Sequence, residues 1–142
     1  MSHAATTLDL LDRSREALTS GYAASVASTR YLAASLAALR AGAALVAARS
    51  ATSPGSGLAS GGGPHDVWAL TARVAPEFTE WAQRFAAVTG QRVGVETGLV
   101  RVTAREADDL LRDAETFVDL AASRLGVPSV HRQRRLVPVR SA

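Results

Sequence analysis

The 142-residue sequence contains no cysteine. This absence excludes disulfide bonds, thiolate catalysis and cysteine-based zinc or iron–sulfur sites. Histidine is also scarce, and His3, His65 and His131 are too far apart along the chain for two of them to lie on one helix face, as paired metal ligands do. We therefore expect neither a metal site nor a cofactor.

Long, strongly apolar runs are lacking as well. The longest apolar stretch, residues 31–48, is mostly alanine and includes Ser35 and Arg40, so we expect it to fall short of the roughly 20 apolar residues of a membrane span. The start of the chain has neither the basic region nor the apolar run of a secretory signal. These features predict a cytoplasmic protein without a membrane partner.

Basic residues are concentrated at the C-terminal end. All 16 basic residues are arginine. Twelve of them lie before residue 132, in the part of the chain that also contains all 13 acidic residues, so that this part is nearly neutral. The other four lie in the last eleven residues, namely Arg132, Arg134, Arg135 and Arg140. Residues 126–142 are predicted to form a flexible basic tail, which would attract nucleic-acid phosphates regardless of sequence. A passive, solubilising tail is the alternative.

Apolar residues at helical spacing predict an all-α fold, a compact bundle of about five helices. A chain of this length suits one domain with one core, which we place at residues 1–125. Residues 50–65 are rich in Gly, Ser and Pro and cannot bury enough apolar surface to offset their ordering entropy. They are predicted to form a flexible loop between the second and third helices.

Two helices are predicted before this loop. The first runs from Thr7 to Ser20 and ends at Gly21. The second covers residues 25–49 and is the central helix, in which Gly42 and many alanines would let neighbouring helices approach closely. Its predicted apolar face comprises Leu32, Leu36, Leu39, Ala43 and Val46.

Three helices are predicted after the loop. A short helix over residues 67–74, capped by Asp66, precedes a helix that begins at Pro76 and is ended by Gly98. A small hairpin over residues 90–102 is the alternative, since each glycine in that stretch costs a helix about 1 kcal/mol relative to alanine.

The last helix has the strongest pattern. Thr103 and Glu106 form a capping box, in which each side chain accepts a hydrogen bond from a free backbone N–H of the first turn. The apolar stripe that follows is about 120° wide, as expected for one face against a bundle core. It comprises Ala107, Leu110, Leu111, Ala114, Phe117, Val118, Ala121 and Leu125.

Two groups of side chains have both a functional and a structural interpretation. Four aromatic residues could stack on nucleic-acid bases, but their helical spacing favours the core. They are Trp68, Phe78, Trp81 and Phe85.

Three carboxylates of the last helix, Glu106, Asp109 and Asp113, share one flank and could bind a divalent cation. Arginines alternate with acidic residues on the same surface, Asp108 among them, and opposite charges four residues apart favour a solvated face. On such a face, replacing Asp108 should barely change stability.

Three stretches of the sequence together resemble an actinobacterial family of HEPN domains, which are nucleotide-binding helical bundles. They are RYLAASLAALRAGAA at residues 30–44, VWALTARVAPEFTEW at 67–81 and TAREADDLLRDAETF at 103–117. The resemblance implies a compact bundle of four or five helices that often forms a homodimer. Many HEPN domains are ribonucleases, whose signature is an Arg and a His with four to six residues between them on one helix.

The resemblance fails at that signature. Arg30 supplies the arginine, but five residues later stands Ser35, whose hydroxyl cannot exchange protons near neutral pH as an imidazole does. Arg30 is expected to face away from the apolar stripe, where its guanidinium could hold a phosphate. Arg124 and His131 also have a fitting separation, which we attribute to coincidence because Gly126 and Pro128 interrupt the helix between them.

The sequence thus favours a non-catalytic HEPN-type domain that binds RNA, a nucleotide or a protein partner. The predicted nucleic-acid-binding residues are Arg30, Arg132, Arg134, Arg135 and Arg140. One alternative is a metal-independent ribonuclease of toxin type that uses Arg30 with His131. A second alternative is a bundle that only binds other proteins.

Overall fold

The structure is a computed structural model that describes residues 3–50, 64–127 and 136–140. Within these ranges the chain forms five α-helices and one short 3₁₀ helix, which confirms the predicted all-α bundle. Their bounds are α1 His3–Ala23, α2 Ala27–Ser50, α3 Pro64–Val74, the 3₁₀ helix Pro76–Phe78, α4 Thr79–Glu96 and α5 Ala104–Arg124. Most of the loop predicted at 50–65 lies outside the described residues.

Helix α2 is the central helix and packs against the four other α-helices. The leucines of its predicted apolar face are only half-buried. Its fully buried face consists of short side chains, mainly Ala34, Ala37, Ala38, Ala41 and Ala44. The prediction thus placed most of the core on the wrong side of α2, although Val46 of the predicted face is also buried. Small side chains on the observed face let the larger residues of neighbouring helices fill the core.

Helix α2 also exceeds the expected apolarity. It is long and apolar enough to span a membrane, with a mean hydropathy of 1.6 over 18 residues, and 56% of that window is buried inside the bundle. The expectation that this stretch falls short of a membrane span was therefore wrong, as judged by its length and composition alone. The same length and burial are typical of a core helix surrounded by other helices.

Two glycines allow neighbouring helices to approach α1 and α2 closely. A Cβ atom on Gly42 would lie 2.9 Å from Cζ3 of Trp68, and one on Gly21 would lie 2.8 Å from Cδ1 of Leu111. The predicted role of Gly42 is confirmed. The prediction that Gly21 ends the first helix was wrong, because α1 continues to Ala23 and the missing side chain serves the contact with α5.

An aromatic cluster fills the core between α3, α4 and α5, as predicted. The ring of Phe117 lies 5.2 Å from that of Phe85 and 5.9 Å from those of Trp68 and Trp81. Buried indole N–H groups need an acceptor, and Nε1 of Trp68 donates to Oγ1 of Thr89 at 2.8 Å. These contacts support a packing role for the aromatic residues.

The helix ends follow local sequence signals in most cases. Oγ1 of Thr103 accepts a hydrogen bond from the N–H of Glu106 at 3.1 Å, as predicted for the start of α5. Gly98, with φ of +77°, follows α4, and helix rather than hairpin forms over residues 90–96. Asp66 is not the N-cap residue of α3, because that helix begins two residues earlier and Asp66 lies in its first turn.

A bidentate ion pair joins the C-terminal end of α2 to the 3₁₀ helix. Nη1 and Nη2 of Arg49 each donate to a carboxylate oxygen of Glu77 at 2.8 Å, and Nη1 also donates to the carbonyl of Val74. The hydrogen bonds from Arg49 lower the pKa of Glu77 from its ordinary 4.5 to about 2. The pair therefore stabilises the folded state while Glu77 is ionised.

Replacing Glu77 with Gln should make stability less sensitive to acid. Because the folded-state pKa of Glu77 lies below its unfolded-state value, its ionised form adds stability above about pH 4.5, and this stability is lost as the pH falls toward about 2. Denaturant unfolding should show the unmodified protein more stable than the Glu77→Gln variant at pH 6 to 7, with the difference shrinking below pH 4.5. A difference independent of pH would contradict this role. Glu80→Gln, an exposed change in the next turn, is the control.

Candidate functional site around Arg30

Arg30 lies in the first turn of α2 and its side chain is 0% exposed. A buried charge is costly unless it is paired and hydrogen-bonded. Arg30 was expected to face away from the apolar stripe of its helix, where it could reach a ligand, but the structure buries it. The guanidinium was predicted to hold a phosphate because it was expected to be accessible, and in the structure it is not.

The guanidinium of Arg30 is instead surrounded by acceptors of the protein itself. Nε donates to the carbonyl of Gly21 at 2.8 Å, and Nη2 donates to those of Tyr22 and Ala24 at 3.2 and 3.1 Å. The last carbonyls of a helix lack partners within the helix, and a cation there is favourable. Arg30 thereby caps the C-terminal end of α1.

The charge of Arg30 is neutralised by α5. Nη1 of Arg30 donates to Oδ1 of Asp108 at 2.6 Å, and the Asp108 side chain is 28% exposed. The prediction that Asp108 belongs to a solvated face was wrong, because Asp108 points at Arg30 of the neighbouring helix. A sequence pattern on α5 alone could not reveal this partner.

The C-terminal segment, defined as residues 136–140, completes the surroundings of Arg30. The carbonyl of Val137 accepts from Nη2 of Arg30, and the N–H of Val137 donates to the carbonyl of Tyr22 at 3.1 Å. The segment also forms a parallel β-bridge between Arg140 and Val26. This part of the predicted flexible tail is therefore held against the connection between α1 and α2.

Ser35, which stands where a ribonuclease of this kind would need histidine, is buried on α2 and 5% exposed. Of the remaining predicted site residues, only Arg140 lies within the described ranges. The side chain of Arg140 is exposed, while His131 and the arginines at 132, 134 and 135 lie outside the described residues. Of the predicted nucleic-acid-binding residues, the structure therefore describes only Arg30, which is buried, and Arg140, which is exposed.

Shifted pKa values near Arg30 do not indicate a general base. Burial raises the pKa of Tyr31, and the nearby charge of Glu106 raises it further. Both effects keep the phenol protonated, whereas a base would need a lowered pKa. Tyr31 is thus available only as a neutral hydroxyl near physiological pH.

Two of the three carboxylates considered for a metal form ion pairs with arginines. Asp113 pairs with Arg84 of α4, and Asp109 lies 3.9 Å from Arg105. Within the described ranges, no group of three or more His, Asp or Glu side chains is placed to hold a metal ion.

An exposed apolar patch occupies the turn between α4 and α5, and we did not predict it from the sequence. We call it the turn patch. It consists of Val93, Leu99 and Val100, which are 69%, 86% and 36% exposed. The N–H of Val100 donates to the carbonyl of Gly94 at 2.9 Å, and this bond holds the turn against α4. A groove of about 790 Å³ lies beside the patch, with Arg101 and Ser28 in its lining.

Comparison with known proteins yields a family and no individual relative. The family model described as SAV_6107-like HEPN matches residues 4–122. This range covers nearly the whole of the five helices, from the second residue of α1 to the third-last residue of α5. The C-terminal segment lies outside it. No curated protein matches the chain, and no solved structure matches it.

The Asp108→Asn variant should be markedly less stable than the unmodified protein. Asparagine keeps the shape of the side chain but leaves the buried guanidinium without a counter-charge, which should lower the free energy of unfolding by about 1 to 3 kcal/mol. Asp109→Asn is the control, since its exposed pair should be worth less than about 0.5 kcal/mol. Denaturant titration measures both, and equal effects of the two changes would contradict the role of Asp108.

Proposed function

We propose that this chain, which belongs to the SAV_6107-like HEPN family, is a non-catalytic HEPN-type domain that binds RNA without cleaving it. The observation that carries the proposal is the complete burial of Arg30 among structural acceptors. A catalytic or phosphate-binding arginine needs N–H groups that can reach the substrate. Those of Arg30 are directed at α1, α5 and the C-terminal segment.

The lack of an acid–base pair supports the same conclusion. Metal-independent cleavage of RNA needs one group to deprotonate the ribose 2′-hydroxyl and one to protonate the leaving oxygen. On α2 the position of the signature histidine holds Ser35, which is buried and does not titrate near neutral pH. Neither residue of the signature pair is thus suited to proton transfer.

The C-terminal arginines are the proposed RNA contacts. Arg132, Arg134 and Arg135 place three positive charges within four residues of a chain that is otherwise nearly neutral. Clustered arginines attract phosphates independently of base sequence and release counterions on binding. The exposed side chain of Arg140 lies on the surface of the bundle, at the end of the same stretch.

A protein partner is the second candidate, and the turn patch favours it. Leu99 is 86% exposed on a turn that a backbone hydrogen bond holds in place. A fixed, exposed apolar cluster provides area for a partner without an ordering cost. Nothing in the patch is suited to bind phosphate, so an apolar partner surface fits it best.

Neutralising the C-terminal arginines should weaken RNA binding and its salt dependence. In a triple variant with Gln at positions 132, 134 and 135, the slope of log affinity against log salt should fall by about 2, at about 0.7 per lost phosphate contact. Filter binding or anisotropy with a single-stranded RNA measures both quantities.

The control for this experiment removes three exposed charges from the helices, as Gln at positions 73, 105 and 112. It loses the same net charge but keeps the proposed RNA contacts. It should therefore weaken binding only slightly. Equal losses in both triple variants would indicate that overall charge, rather than the C-terminal arginines, attracts RNA.

The purified protein should not cleave RNA at neutral pH. The test compares the unmodified protein with His131→Ala, because a substitution at Arg30 is expected to unfold the bundle and would be uninformative. Cleavage that is lost in His131→Ala would establish the ribonuclease alternative and refute a non-catalytic domain. Gel analysis of an end-labelled RNA, with and without divalent cations, distinguishes these results.

A further inference from the structure

The connection between α1 and α2 presents backbone groups in the pattern of a β-strand edge. The carbonyls of Tyr22 and Ser25 accept hydrogen bonds from the N–H groups of Val137 and Arg140, and the N–H of Ala27 donates to the carbonyl of Arg140 at 3.0 Å. Such alternating donors and acceptors recognise an extended backbone rather than particular side chains.

Arg30 gives this edge a fixed charged donor. Its Nη2 donates to the carbonyl of Val137 from within the core, where the side chain is held by Gly21 and Asp108. The donor is therefore in place before a peptide arrives, so binding does not have to order a long side chain. We call this edge together with Arg30 the peptide slot.

The segment that occupies the slot shows which side chains the slot selects. Leu136 and Val139 are half-buried against the core clusters, whereas Val137, Pro138 and Arg140 are exposed. The third position holds proline, which has no N–H, so the slot requires no donor there. The pattern is apolar at the first and fourth positions, with proline tolerated at the third.

We propose that the peptide slot is a binding site for an extended segment of a partner protein with this apolar-x-Pro-apolar pattern. The chain's own C-terminal segment occupies the slot and competes with the partner. A strand that pairs with its own edge in the same chain has an effective concentration of roughly millimolar. The partner therefore gains access only when the C-terminal segment is released.

A full-length Val139→Asp variant tests the proposal, because a carboxylate at the fourth position should release the segment from the apolar cluster. A fluorescent peptide with the sequence of residues 136–140 should bind this variant at least tenfold more tightly than it binds the unmodified protein. The same peptide with aspartate at its fourth position should bind neither. Leu120→Asp, an exposed apolar change on α5, should behave like the unmodified protein.

Hydrogen exchange on the unmodified protein provides a second test that does not depend on any variant. The amides of Val137, Arg140 and Ala27 should exchange together and at least tenfold faster than core amides of α2 and α5. Exchange of these three amides only at the rate of the core would show a permanent structural element and overturn the proposal. Equal peptide affinity for the Val139→Asp and Leu120→Asp variants, with helix content intact, would also overturn it.

Discussion

The charge of Arg30 has to be satisfied inside the protein, and much of the structure depends on how this is done. A guanidinium cannot lose its proton at physiological pH, so burial requires a counter-charge and acceptors for its N–H groups. The acceptors come from the end of α1, from Asp108 of α5 and from the C-terminal segment. One side chain thereby contacts three parts of the chain besides α2, and removing the carboxylate of Asp108 would leave the buried charge without a counter-charge.

This arrangement directs the donors of Arg30 at the protein itself. An arginine at this place in the second helix could contribute to a reaction only if its donors faced a substrate. In this protein the donors are used for packing, and the partner position holds a buried Ser35. The binding functions that we propose depend instead on the surface of the protein: the C-terminal arginines, the turn patch and the peptide slot.

Local patterns in the sequence predicted those features that depend on neighbouring residues. The capping of α5 by Thr103, the stop at Gly98 and the aromatic core all follow from spacing within one helix or turn. The role of Arg30 could not be predicted in this way, because its partners lie up to 107 residues away and most are backbone carbonyls, which no residue type reveals. The alanines of α2 were predicted to allow close packing, but the buried face was placed on the leucine side, because hydrophobicity alone favours leucine while close helix packing favours small side chains.

The most direct test of an Arg30 that contacts the protein itself and not RNA follows its side chain by NMR during titration with RNA. If Arg30 is structural, its Nε–H exchanges slowly with water, because it donates to the carbonyl of Gly21 in the core. Its resonance should keep its position up to saturating RNA, while the side-chain signals of exposed arginines shift. A progressive shift of the Arg30 Nε–H signal with RNA, or its rapid exchange with solvent, would show a guanidinium that is open to phosphate and would contradict a purely structural role.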